Sequence, residues 1–229
     1  MGATPDASPI HWLNYRRGLG YRSHRGHGPI SYPVLVPLLT AQDALPGCPR
    51  RILVAGTSGS GKTTLAAGIG ELLQIPHVEI DALFHGPGWT ARSSFEEDVR
   101  RFVAEPAWVT EWQYSQVRAL LAARAELLVW LDLSRWRVME QVSRRTLRRR
   151  LRREVLWNDN VEPPLWTVFT DREHILRWAW SGHPKSGQRV AALLEQRPDL
   201  DIVRLEDRAA VRRWLAGPVR DAARRCGPV

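Results

Sequence analysis

Eight consecutive residues constrain this chain more than any others: Gly56-Thr57-Ser58-Gly59-Ser60-Gly61-Lys62-Thr63, which fit the pattern G-x-x-x-x-G-K-[ST]. The run before them, Ile52-Leu53-Val54-Ala55, is short, apolar and closed by glycine, as a buried parallel strand is. The run after them, Thr63 to Leu73, carries Leu65, Ile69, Leu72 and Leu73 on one helical side. A glycine-rich turn between a strand and a helix lets backbone N–H groups curl around a phosphate with no Cβ in the way, and the helix N-terminus favours the negative charge. In that arrangement the Lys62 ammonium reaches the β- and γ-phosphates and the Thr63 hydroxyl ligates Mg²⁺. The expected nucleotide-binding set is therefore Gly56, Ser58, Gly59, Ser60, Gly61, Lys62, Thr63 and Thr64. Lys62 is one of only two lysines in a chain with 33 basic residues.

The rest of the chain is organised around that turn. Further strands are expected at His77–Ile80, Ala107–Thr110, Leu127–Leu131 and Ile202–Leu205. Helical patterns lie between them at Ser93–Val103, Val117–Ala125, Arg135–Leu156, Thr170–Ser181 and Gln188–Gln196, and one more follows at Ala209–Leu215. Such alternation predicts an α/β fold, a parallel doubly wound sheet with helices on both faces. Residues 1–49 are rich in proline and glycine with no sustained period, and read as a poorly ordered extension. Residues 50–217 form the expected domain and 218–229 a tail. At 229 residues one core can bury most of its apolar side chains without disulfides. The two cysteines, Cys48 and Cys226, lie near opposite ends, which excludes a disulfide-dense scaffold and suits a reducing, cytoplasmic setting. No apolar run reaches the length of a membrane span.

The formal charge is +9, and its location matters more than its size. Between Arg135 and Arg153 there are nine arginines and one acid, Glu140, so this segment alone carries +8. Trp136, Met139, Val142, Leu147, Leu151 and Val155 recur at spacings of three to five and form an apolar stripe opposite the arginines. Three readings follow: a solvated basic face, a helix lying along nucleic-acid phosphates, or a lid that closes on the phosphates of ATP. The base-reading tetrapeptide N-K-x-D of GTPases does not occur in the sequence.

Several further segments carry a family likeness: Ile80-Asp81-Ala82-Leu83-Phe84 with Pro87 and Trp89, Trp108-Val109, Leu131-Asp132, Arg144-Arg145-Thr146 with Arg149, and Glu154-Val155-Leu156-Trp157-Asn158. With the glycine-rich turn, these make the stretch from Ile52 to about Leu215 resemble the P-loop kinase-like family of DNA topology modulation proteins, relatives of adenylate and shikimate kinases. The resemblance implies a five-stranded parallel sheet in the order 2-3-1-4-5, an arginine-rich lid over about residues 135–160, and ATP- and Mg²⁺-dependent phosphoryl transfer to a small-molecule acceptor. It implies lid roles for Arg145 and Arg149, four residues apart on one helix face. Where the family reads W-V-x-D-G-N-Y, this chain has Trp108-Val109-Thr110-Glu111-Trp112-Gln113-Tyr114. Glu111 thus takes the place of the metal-side carboxylate, and Trp112 adds bulk where the family keeps a glycine.

Asp81, at the carboxyl end of the second expected strand, stands where ligands bind in open α/β sheets and is the candidate for orienting or deprotonating the acceptor hydroxyl, or for holding Mg²⁺ through water. The alternative is a helix-capping aspartate. Asp132 is expected to cap the helix that follows it. His85, Trp89, Arg92, Gln113 and Tyr114 would wall the acceptor pocket or fill core. Two functions are carried forward: a small-molecule kinase acting through Lys62, Asp81, Arg145 and Arg149, and a nucleic-acid-associated ATP-binding regulator using the Arg135–Arg153 helix.

Overall fold

The strand before the glycine-rich turn becomes the centre of the molecule. The computed structural model describes residues 38–152 and 175–227, the side chains of 145–152 and 175–184 excepted. Strand β1 (Arg51–Gly56) pairs in parallel with β2 (Trp108–Glu111) on one side and β3 (Leu127–Leu131) on the other. Strand β4 (Asp201–Leu205) pairs in parallel with β3. Among the described residues the sheet therefore has four strands in the order β2-β1-β3-β4.

Period-two alternation divides these strands between two cores. Ile52 and Val54 of β1, with Leu127, Val129 and Leu131 of β3, face α1 (Lys62–Leu73), α7 (Arg208–Trp214) and α8 (Arg220–Cys226). Leu53 and Ala55, with Leu128 and Trp130, face α3 (Phe95–Val103), α4 (Arg118–Arg124) and α6 (Ile175–Gln196). The short α2 (Ile80–Phe84) precedes α3, and the long α5 (Arg135–Arg152) follows β3. Because both faces are covered, the strands read as unbroken apolar runs rather than alternating ones.

Of the five strands expected, the second, at His77–Ile80, does not form. His77 makes one isolated parallel bridge to Val109, with the Val78 N–H donating to the Val109 carbonyl at 2.9 Å. The ladder stops because the next available donor, the Ile80 N–H, goes to the Glu111 carboxylate at 3.1 Å and opens α2 instead. The four strands that form keep the expected relative order, with this segment at the β2 edge.

Other expectations also give way. The segment before Arg50 is in part folded: Leu39 bridges Val203 at the β4 edge, and Ala41 and Leu45 are buried in the first core. The two helical patterns around residues 170–196 are one helix from Ile175 on, which runs through Pro184; residues 170–174 lie outside the described residues. The expected tail continues as helix, with a π-type turn over Leu215–Val219 leading into α8, because Val219 and Ala222 find places in the first core. Cys48 and Cys226, 178 residues apart, form a disulfide that joins the start of the domain to its last helix. Their separation along the chain hid their closeness in space. No helix among the described residues is long and apolar enough to cross a membrane.

Candidate functional site

The turn between β1 and α1 has the backbone its sequence demands. Gly59 (φ +79°) and Gly61 (φ +98°) are left-handed, a region that costs an L-residue roughly 1–2 kcal/mol. Gly61 is the N-cap of α1 and supplies no side chain there, so the first N–H groups of the helix are left to a ligand. Thr57, Ser60 and Lys62 are buried, polar though they are. The Lys62 ammonium donates to the Thr57 carbonyl at 3.3 Å, which folds the lysine back over the loop. The Ser60 hydroxyl is buried with no hydrogen-bond partner among the described residues, an expense that a bound oxyanion would remove. The loop residues therefore fit a phosphate chain. Among the described residues no group of three or more His, Cys, Asp or Glu is assembled as a cation site, and Thr63 follows Lys62 in the first turn of α1.

Above this loop lies the first half of α5. Val142 is fully buried and stands 1.9 Å from where a Gly59 Cβ would be, so the helix rests on the loop itself. Val142 clusters with Leu133, Val138 and Met139 in a small core separate from the other two. The arginine-rich helix is thereby seated against the phosphate loop. The side chains of Arg145 and Arg149 lie outside the described residues.

At the same end of the neighbouring strand, Glu111 is 1% exposed. Its carboxylate accepts from His77 Nε2 at 3.3 Å and from the Ile80 N–H at 3.1 Å. Burial alone would push the carboxyl upward, but the bonds from His77 and Ile80 outweigh it and hold it below the ordinary glutamate value. Glu111 thus ties β2 to the start of α2. Neither His77 nor this tie was visible in the sequence, since no motif links residues 34 positions apart.

Asp81 lies on α2 in a cluster of polar side chains. Gln113 Nε2 and the Tyr114 hydroxyl, the latter at 2.6 Å, both donate to Asp81 Oδ1. Tyr114 Oη is 3.3 Å from His85 Nε2. Phe84 stacks on the Tyr114 ring with centroids 4.1 Å apart, and Trp89 meets His85 edge-on at 5.1 Å. Tyr114 (φ +61°) and Trp89 (φ +61°) are both left-handed without being glycine, a strain of about 1–3 kcal/mol each of the kind that gathers at functional sites. Burial, and then the Asp81 charge, push the Tyr114 phenol well above its ordinary range, while burial pulls His85 down against the same charge. Both shifts favour the neutral forms of Tyr114 and His85. The capping alternative for Asp81 finds no support, since no side chain caps α2.

Three other candidates resolve differently. Trp112 turns its indole N–H to the Arg118 carbonyl at 3.1 Å and packs at the margin of the second core. Arg92 is paired with Asp98 at 3.1 Å rather than with the Asp81 cluster. Asp132 accepts from Arg204 Nε at 2.8 Å across the β3–β4 ladder, and Arg204 also lies 5.3 Å over the Trp130 ring.

No family model and no curated protein matches this chain, so the resemblance to DNA topology modulation proteins rests on its motifs alone. Solved structures do resemble it. A gluconokinase from Sinorhizobium meliloti 1021 is similar over 78% of this chain and 97% of its own length, at 20% identity and a TM-score of 0.44. A sugar kinase from Janibacter sp. HTCC2649 is similar over 79% and 92%, at 19% identity and 0.36. The shikimate kinase of Aquifex aeolicus vf5 is similar over 76% and 92%, at 12% identity and 0.37.

Proposed function

We propose that this chain is a P-loop phosphotransferase that moves the γ-phosphoryl group of ATP to a hydroxyl of a small molecule. One observation supports this above the rest: two polar centres of opposite chemistry stand at the same ends of adjacent parallel strands. Val54 of β1 is in register with Glu111 of β2, so Gly56 and Gln113, each two residues further on, leave the sheet side by side. One begins the phosphate loop and the other joins the Asp81 cluster. The carboxyl edge of such a sheet is where open α/β folds bind ligands.

Bound Mg·ATP supplies the transferable phosphoryl group and the cation that neutralises its oxygens. The loop N–H groups from Gly59 to Lys62, the Ser60 hydroxyl and the Lys62 ammonium would hold the phosphates, and the Thr63 hydroxyl would hold the cation. Glu111, whose oxygens already accept from His77 and Ile80, would act on such a cation at one remove. Asp81 holds the acceptor hydroxyl through Oδ2, since both of its described bonds fall on Oδ1. Arg145 and Arg149, the two lid arginines of this reading, stand four residues apart on α5, the helix whose Val142 rests on the loop.

The test is ADP release by the full chain with ATP, Mg²⁺ and a panel of sugars, sugar acids, nucleosides and other hydroxy compounds. One acceptor class should raise release well above the background, and Lys62→Ala should lower that rate by about 10²–10³-fold. A chain that binds ATP with no acceptor raising ADP release would overturn the reading.

A further inference from the structure

The Tyr114 hydroxyl has one hydrogen to give and two neighbours to satisfy. The shorter contact, 2.6 Å to Asp81 Oδ1, claims that hydrogen, against 3.3 Å to His85. The bond between Tyr114 and His85 must then run the other way, from His85 Nε2–H to the phenol oxygen. His85, Tyr114 and Asp81 so form a chain with one direction, each donor polarising the next, and it ends on Asp81 Oδ1. Gln113 closes on the same oxygen. A carboxylate fixed on one oxygen by two donors can rotate about neither, and its other oxygen has a set place.

We propose that His85 and Tyr114 are positioning residues whose directed hydrogen-bond chain aims the Asp81 carboxylate at the acceptor hydroxyl. This rests on the reading of Asp81 as the acceptor-facing group. Its further support is structural. Tyr114 is held left-handed where asparagine or glycine would sit at less cost, so the position retains its phenol against the backbone preference. Phe84 stacks on that phenol and Phe95 meets its edge at 5.3 Å, which leaves the ring one orientation. Among the described residues Asp81 acts on both and Glu111 on Tyr114; burial outweighs Asp81 at His85 and favours the neutral imidazole, the form that carries a single N–H.

Two measurements on the full chain test it. The first is ¹⁵N NMR of the histidine rings, with His85 assigned by its loss in His85→Gln. The expected state is a neutral ring protonated on Nε2, with the two tautomers mixing in Tyr114→Phe; a wild-type ring protonated on Nδ1 overturns the proposal. The second uses whichever acceptor raises ADP release. Tyr114→Phe and His85→Ala should each lower kcat about tenfold, the worth of a hydrogen bond to a charged group, while KM moves less than about threefold. His85→Gln should recover most of the loss, because the glutamine amide nitrogen reaches the place of Nε2. Unchanged kcat in both Tyr114→Phe and His85→Ala overturns the chain even where the kinase is active. A wild-type chain that turns over no acceptor sinks the kinase reading instead, and the nitrogen shifts then decide the chain by themselves.

Discussion

Gly59 shows how much one missing atom can matter. Its left-handed φ and the Val142 methyl 1.9 Å from its would-be Cβ act together, so Gly59→Ala meets both strain and collision. The expected cost is about 1–3 kcal/mol, taken chiefly from the seat of α5 on the loop. Thermal unfolding with and without ATP should show the nucleotide-induced stabilisation reduced, and Val142→Ala in the same chain should restore part of it. Glu111 gives a prediction of a different kind. Its folded pKa lies below the unfolded value of about 4.3, so its stabilisation is present above that pH and is lost as pH falls through the folded pKa. Unfolding free energy measured by urea from pH 6 to pH 3 should therefore fall in acid. Glu111→Gln should flatten that slope and cost about 1–2 kcal/mol at pH 7.

Elements were legible where their signal was local. The runs Ile52–Ala55 and Leu127–Leu131 could be read as buried strands because glycine and polar residues bound them. The phosphate loop was legible because its chemistry is fixed over eight consecutive residues. The segment at His77 misled because its apolar pattern is that of a strand, while a carboxylate from β2 diverts its ladder donor. Gly217-Pro218 reads as a stop, but burial of Val219 and Ala222 outweighs local propensity and carries the helix on. Of the site, Asp81, Gln113 and Tyr114 could be singled out from their loops, but their bonds to one another could not, since pairing across strands leaves no spacing to count. Arg197 is a further pairing of this sort. From the end of α6 it donates to the Ala122 carbonyl at 2.5 Å and the Ala125 carbonyl at 3.4 Å, completing the last turn of α4, and it pairs with Asp199. Arg197→Ala should lower stability by about 1–2 kcal/mol in urea unfolding.

Over the whole molecule, the covalent link from Cys48 to Cys226 spans nearly the entire fold. Hydrogen bonds reinforce the joint: Arg50 donates to the Cys226 carbonyl at 3.2 Å and Arg225 to the Leu45 carbonyl at 3.1 Å. A bridge closing so long a loop stabilises by about 2–4 kcal/mol, chiefly through the unfolded chain. Reductant, or Cys48→Ser with Cys226→Ser, should then lower Tm by roughly 5–15 °C for a chain of this size. Equal midpoints for the oxidised and reduced protein would show that the link contributes nothing.

That link also changes what a cut in the backbone means. The exposed turn at Pro87–Trp89, where Gly88 is left-handed, is an open place for a protease. Severed there, the chain would not separate into two pieces. The sulfur bridge would seal the old ends together and the cut would supply new ones, so the product is a circular permutant in all but its peptide bonds. It would run at full mass until reduced, and only then as two fragments.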